Sequence, residues 1–340
     1  MPAIASGKVL VTGANGYVAV WIVKSLLDAG YAVRGVVRSE KKGVHLQKIF
    51  KPFGDNFEIA IVPDITDETA FGPLLEDVDA VLHTASPVDM TVIEPDDFIV
   101  PAVQGTTSVL KATATHGTRV RRVIVLSSTA AILHESATPM TFDESSWNDQ
   151  AVAETTARGR DAPAIVKYRA SKTLAERAAW KLQEDASARG DIQWDLVTLN
   201  PPFVFGPVLH EVDKPENLNF SAKLWYDNVV GGASGNDTST NFVDVRDVAQ
   251  AHVLALQKPE AGGNRFIIAN GPFKWQDFVS AAHRLSEKIP PGNISYDPAK
   301  AEHHVRYENA KSVSVLGMKY RSVDELTSAA LDDFKGRGWM

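Results

Sequence analysis

The chain has 340 residues, 44% of them hydrophobic, and a formal net charge of −7. That is apolar material enough for a sizeable core in one large or two merged domains. It is too acidic for a broad nucleic-acid surface, and with no cysteine it excludes disulfides, zinc–thiolate sites and thiol catalysis.

In chain order, Lys8–Gly13 reads as a buried strand, and the apolar spacing from Gly16 to Ala29 as a helix stopped by Gly30. Ala32–Val37 is a second strand, Phe57–Asp64 a third and Asp79–Ser86 a fourth. Asp96–His116 is a long helix, Arg121–Ser128 a fifth strand and Ala164–Arg189 another long helix. Trp194–Pro201 and Asn264–Gly271 complete the strands. Between them, His134–Ala162 is polar and loop-like, Val208–Asn241 carries the flexible run GGASGNDTST, and Pro290–Met340 mixes short elements.

Strands that are apolar throughout and alternate with helices predict an α/β fold, a parallel sheet covered on both faces. Ligands of such sheets sit at the carboxyl ends of the strands, which puts Gly13, Asp64, Ala85, Ser128 and Pro201 on one rim. The expected division is a cofactor domain over 1–207 with about 242–270, and a smaller lobe over about 208–241 and 271–340. The polar His134–Ala162 stretch is expected to gather with that lobe. The chain starts without the charged-then-apolar pattern of a secretory leader. No apolar run approaches the roughly 18 residues of a membrane helix. A soluble, cytoplasmic monomer or homodimer is expected, with neither nucleic acid nor membrane as partner.

The first motif is VTGANGYVAVWIV, with Gly13, Gly16 and Ala19 at three-residue spacing between a strand and a helix. Gly13 permits a tight turn, Gly16 lets a pyrophosphate approach backbone N–H groups at the positive helix end, and Ala19 is small enough for the helix to pack on the strand. Cofactor contacts are expected from Gly13, Asn15, Gly16, Tyr17 and Val18. NAD-specific folds place an acid near the end of the second strand, but this strand reads AVRGVVRSEKK. Arg38 with Ser39, and next Arg34, suit a ribose 2′-phosphate, so NADP(H) is expected over NAD(H). Asp64 and Ile65 stand where the adenine would lie; the aspartate either accepts from the adenine amino group or caps a turn. Thr84, Ala85 and Ser86 follow the fourth strand and line the ribose and pyrophosphate, and Pro201 and Phe203 lie toward the nicotinamide.

The second motif is KYRASK. Tyr168 and Lys172 are four apart and share a helix face. A neighbouring ammonium favours ionisation of a phenol whose ordinary pKa is about 10, which fits Tyr168 for proton transfer to a substrate oxygen. Lys172 can also bind the nicotinamide ribose. Ser127 and Ser128, at the end of the fifth strand, offer hydroxyls to that oxygen, and Ser127 is also expected among the cofactor contacts.

Together these motifs resemble the extended short-chain dehydrogenase/reductase family over nearly the whole chain: T-G-x-x-G-x-x-A, Asp64, HTASP, LSS, Y-x-x-x-K, NPPFVFGP and FVDVRDVA, in family order. The nearest resemblance is to the dihydroflavonol reductase-like branch and, through GANGYVA, to its fungal aldehyde, ketone and methylglyoxal reductases. The resemblance implies a Rossmann-type doubly wound sheet with a smaller, sequence-discontinuous C-terminal substrate lobe. It also implies a Ser128–Tyr168–Lys172 triad and hydride transfer from NADPH to an aldehyde or ketone. Two departures from the plant branches point to a general apolar pocket. Leu133 stands where plant dihydroflavonol reductases place a polar selectivity residue, and the N-W-Y-C-Y block of plant cinnamoyl-CoA reductases is missing. Val88, Leu133 and Trp225, with Phe203, are the pocket candidates, each equally readable as core. No metal site is expected, and His83 reads as a satisfied core histidine. The alternatives are a nucleotide-sugar epimerase or dehydratase of the same fold, or a non-catalytic NADP-sensing regulator.

Overall fold

The computed structural model describes residues 4–86, 91–232 and 240–340. The first half runs β1 (Lys8–Thr12), α1 (Tyr17–Asp28), β2 (Ala32–Val37), α2 (Glu40–Phe50), β3 (Phe57–Ile61), β4 (Ala80–His83), α3 (Pro95–His116), β5 (Arg122–Leu126), β6 (Met140–Phe142) and α4 (Asp149–Arg158). The second runs α5 (Ala164–Arg189), β7 (Asp195–Asn200), β8 (Phe203–Phe205), α6 (Phe220–Val229), β9 (Thr240–Asp244), α7 (Val245–Gln257), β10 (Asn264–Ile267), β11 (Gly271–Phe273), α8 (Trp275–Leu285), β12 (Val305–Tyr307) and α9 (Val323–Gly336).

Seven strands form one sheet in the order β10-β7-β5-β4-β1-β2-β3, and every neighbouring pair is parallel. The chain reverses its direction of travel across the sheet between β1 and β4, and there the carboxyl-end crevice opens. The apolar strand sequences follow from burial on both faces. Val9, Val11, Leu82, Ile124 and Val197 pack on one side with α1 and α7. Leu10, Val81, Val123 and Leu196 pack on the other with α3. This is the period-two alternation of strand side chains. The first core continues into an aromatic cluster of Phe205, Trp225, Phe242, Phe273, Phe278 and Phe334, which joins α6, α8 and α9 to the main sheet.

Two small sheets lie outside the main one, β11-β9-β8 and the parallel pair β12-β6. They correct part of the sequence reading. His134–Ala162 is not all loop, since β6 and α4 lie in it, with Asn148 capping α4 through Ala151 N at 3.0 Å. Val208–Asn241 contains α6, while residues 233–239 of its GGASGNDTST run lie outside the described residues, and the C-terminal stretch contains the 14-residue α9, started by a Ser322/Glu325 capping box. β3 stops at Ile61, so Asp64 lies beyond it in a turn. Among the described residues no helix is long and apolar enough to cross a membrane.

Candidate active site

The β1–α1 turn is built around Gly13, whose φ of +65° suits glycine. A Cβ there would stand 2.9 Å from the Ala85 Cβ, so the turn lies directly against the end of β4. Gly16 N donates to Gly13 O at 2.9 Å and closes the turn. Gly16 also brings no side chain to cap the first N–H groups of α1, which are left for an anion. Ala19 is buried, as the close packing of helix on strand requires. The Thr12 hydroxyl accepts from Thr84 N and Ala85 N at 3.1 and 3.2 Å and meets His83 Nδ1 at 3.0 Å, tying the two strand ends together. The cradle therefore fits a dinucleotide pyrophosphate, with Asn15, Gly16, Val18, Thr84, Ala85 and Ser86 at its partly open edge.

Tyr17 departs from expectation in its side chain. It is buried, and its hydroxyl donates to Gly206 O at 3.0 Å, so it braces the segment after β8 and leaves only backbone for a cofactor. Arg34 is also corrected. It lies mid-strand and points to the amino end of the sheet, pairing with Asp77 and Glu58 at 2.7 Å each and donating to Leu74 O at 2.6 Å. A guanidinium held by two carboxylates, in ground that repels phosphate, is no 2′-phosphate ligand. Arg38 is exposed just past β2, and Ser39 precedes α2 with its hydroxyl unused as a cap. At the adenine side, the turn-capping alternative describes Asp64: its Oδ1 accepts from Thr66 N and Oγ1 at 2.8 and 2.7 Å. Ile65 packs against Gly105 of α3.

On the far side of the rim, α5 carries Tyr168 and Lys172, with the Lys172 Nζ 5.8 Å from the Tyr168 ring centroid. Burial pushes the Tyr168 phenol up, and a hydrogen bond with Ser128 works the other way. Burial drives Lys172 down to about 8, opposed by the charge of Glu176. Ser128 lies just past β5, where its Oγ accepts from Ala130 N at 3.1 Å. The structure thus brings Ser128, Tyr168 and Lys172 together beside the β7 end that carries Pro201. Ser127 is different: its hydroxyl turns inward and donates to Glu176 Oε2 at 2.5 Å, so it does not face the rim.

The pocket candidates divide. Trp225 is 1% exposed and packs between Phe278 and Phe334, so it is core and not pocket wall. Leu133 is half-buried against the small cluster of Ile132, Phe142 and Ile267. Phe203 is half-buried, stacked on Phe205 and tilted against the exposed Phe220. Val88 lies outside the described residues. His83 is clamped between Thr12 and, at 3.3 Å, Thr106 Oγ1, and burial holds its imidazole down to about 3. It is a neutral structural histidine. No cluster able to hold a metal occurs among the described residues. The sequence reading missed Glu176, Asn200 and Arg265; the one signal was the position of Glu176, a further four residues along the Tyr168–Lys172 line.

Comparison with known proteins agrees with this geometry. A family model described as the NAD dependent epimerase/dehydratase family matches residues 9–269. The chain is 34% identical over 342 residues to a ketoreductase, azaE, of Aspergillus niger, covering 95% of this chain and 96% of that protein. It is 34% identical over 355 residues to the NADPH-dependent methylglyoxal reductase GRE2 of Saccharomyces cerevisiae, covering 97% and 99%. The crystal structure of yeast methylglyoxal/isovaleraldehyde reductase Gre2 complexed with NADPH superposes with a TM-score of 0.87 at 31% identity, over 98% of this chain and all of that one.

Proposed function

The chain belongs to the NAD dependent epimerase/dehydratase family, and we propose that it is an NADPH-dependent carbonyl reductase acting on a small aldehyde or ketone. When bound, NADPH supplies the hydride that reduces the carbonyl carbon. The β1–α1 turn would hold the pyrophosphate, and Arg38 with Ser39 the 2′-phosphate. Ser128 binds the substrate oxygen and fixes its direction. Tyr168 gives that oxygen its proton as negative charge develops, so no free oxyanion has to be solvated. Lys172, as an ammonium, lowers the cost of the phenolate left behind and orients the ribose. In this reading the substrate enters between the carboxyl rim and the smaller lobe, with Leu133 and Phe203 on its apolar side.

The observation that carries the reading is the convergence of Ser128 with the stacked Tyr168–Lys172 pair on the rim that also holds the glycine turn. The experiment is NADPH and NADH consumption by the purified protein over aldehydes, ketones, dicarbonyls and ketoesters. NADPH-dependent turnover of members of the panel is expected. Tight retention of NAD without net consumption would favour an epimerase or dehydratase. NADPH binding with no turnover on the whole panel would favour a sensor.

A further inference from the structure

Tyr168, Lys172 and Glu176 stand at successive four-residue steps of α5 and so occupy one face of it. Helical side chains lean toward the N-terminus, which inclines the Glu176 carboxylate toward Lys172. The Glu176 side chain is wholly screened from solvent. A buried carboxylate is costly unless every lone pair finds a donor, and here four donors converge. Oε1 accepts from Arg265 Nε at 2.7 Å and Thr198 Oγ1 at 3.0 Å. Oε2 accepts from Ser127 Oγ at 2.5 Å and Asn200 Nδ2 at 2.7 Å. The Asn200 amide also donates to the Ser128 carbonyl at 3.1 Å. One carboxylate thus ties α5 to the ends of β5, β7 and β10. Arg265 is itself fixed by the Glu144 and Ser146 carbonyls at 2.6 and 2.8 Å, and its guanidinium lies 3.7 Å from the centre of the Trp147 ring.

We propose that Glu176 is a positioning residue of the reductase site: it sets Ser128 against the Tyr168–Lys172 face, and its negative charge keeps Lys172 an ammonium. The inference rests on the role assigned to those three residues above. A neutral amide could span the same gap but not accept from all four donors, because its nitrogen donates, and only a charge offsets what burial does to Lys172. The other groups around Lys172 do not replace it. His83 of β4 is neutral and feels the Lys172 charge, Tyr168 is a neutral phenol, and Arg265 is cationic and stands behind Glu176. Further along the helix, Arg177 is paired with Asp149 of α4.

The test is Glu176→Gln, which keeps shape and removes charge. The Lys172 Cε resonance is followed against pH by NMR of lysine-labelled protein, assigned by its loss in Lys172→Arg. The pH profile of kcat/KM for carbonyl reduction is measured alongside. The Lys172 midpoint and the alkaline limb of kcat/KM are expected to move together toward acid by about one pH unit or more. Because Glu176→Gln leaves Arg265 buried without a counter-charge, the double variant Glu176→Gln/Arg265→Met removes both charges and keeps the apolar packing. It should still shift toward acid, but by less than the single variant, because the Arg265 charge that repels the Lys172 ammonium is gone as well. An unmoved midpoint in either folded variant overturns the proposal, and in an active enzyme it would leave the reductase reading intact. A shifted midpoint in a protein that reduces no carbonyl would support the Glu176–Lys172 coupling and sink the reductase reading.

Discussion

Lys172 sits one helical turn beyond Tyr168 on α5, with its ammonium 5.8 Å from the centre of the phenol ring. Both are buried, and burial acts on them in opposite senses. It raises the Tyr168 pKa, favouring the protonated phenol, and lowers that of Lys172 to about 8. In the free protein near neutral pH the pair is therefore phenol plus ammonium, the state from which a proton can be given to a developing alkoxide.

Tyr168→Phe removes that proton and the hydrogen bond with Ser128, while the ring keeps its edge contact with Phe98. Turnover should fall by about 10²- to 10⁴-fold, while NADPH affinity, measured by quenching of protein fluorescence, changes little. Near-normal turnover would show that the proton comes from another group.

The sequence ranks Arg38 ahead of Arg34 for the phosphate, and the two are set apart by their partners. Arg38→Ala should weaken NADPH binding by about 10- to 100-fold, the worth of a charge-assisted contact to phosphate, and leave NADH affinity unchanged. Arg34→Ala should leave the NADPH-to-NADH ratio alone and instead destabilise the fold by about 1–2 kcal/mol, because it breaks the ion pairs with Glu58 and Asp77. A ratio that moves with Arg34 and not with Arg38 would reverse the assignment.

The buried ammonium has a stability cost that can be measured. Lys172 has a folded pKa depressed from 10.5 to about 8. Between those values the unfolded chain binds more protons than the folded one, so stability rises with pH through that window and the full cost is present below about 8. Lys172→Met should therefore stabilise the cofactor-free protein by about 1–3 kcal/mol at neutral pH, measured by urea unfolding. The gap should close as pH approaches 10.5. A variant less stable than the wild type at neutral pH would mean that the site pairs Lys172 well enough to repay its burial.

The sequence carried the main sheet because strands buried on both faces leave continuous apolar runs: Ala32–Val37 and Ala164–Arg189 match the structure residue for residue. It carried the glycine turn because Gly13 needs positive φ and close approach to Ala85, which only glycine tolerates. What it hid depends on contacts distant in the chain. α4, β6 and α6 have weak local patterns and are fixed by pairing and packing, β6 with β12 more than 160 residues on. Nothing in AVRGVV says that Arg34 will meet Asp77, and nothing in LSS says that Ser127 will turn inward while Ser128 faces the site. Trp225 on an amphipathic helix reads equally as pocket or core until α8 and α9 close over it.

His83 offers a last test, of the frame that holds the glycine turn. Its ring joins Thr12 of β1 to Thr106 of α3 and is neutral, with burial holding its pKa down to about 3. His210 and His252 are also buried, each held down to about 4. For a base with a depressed folded pKa, the unfolded chain takes up its proton first as pH falls. Stability is therefore lost from the ordinary histidine value of 6.5 downward, until the folded values are reached. Each such histidine contributes a slope of about 1.4 kcal/mol per pH unit inside that window. His83→Gln can span the same two threonines without a titrating group. Its unfolding free energy should fall less steeply than that of the wild type, by about that slope, between roughly pH 5.5 and 4. Equal slopes would mean that His83 takes its proton in the folded state without opening the β1–β4 junction. The glycine turn would then not depend on a neutral ring beneath it.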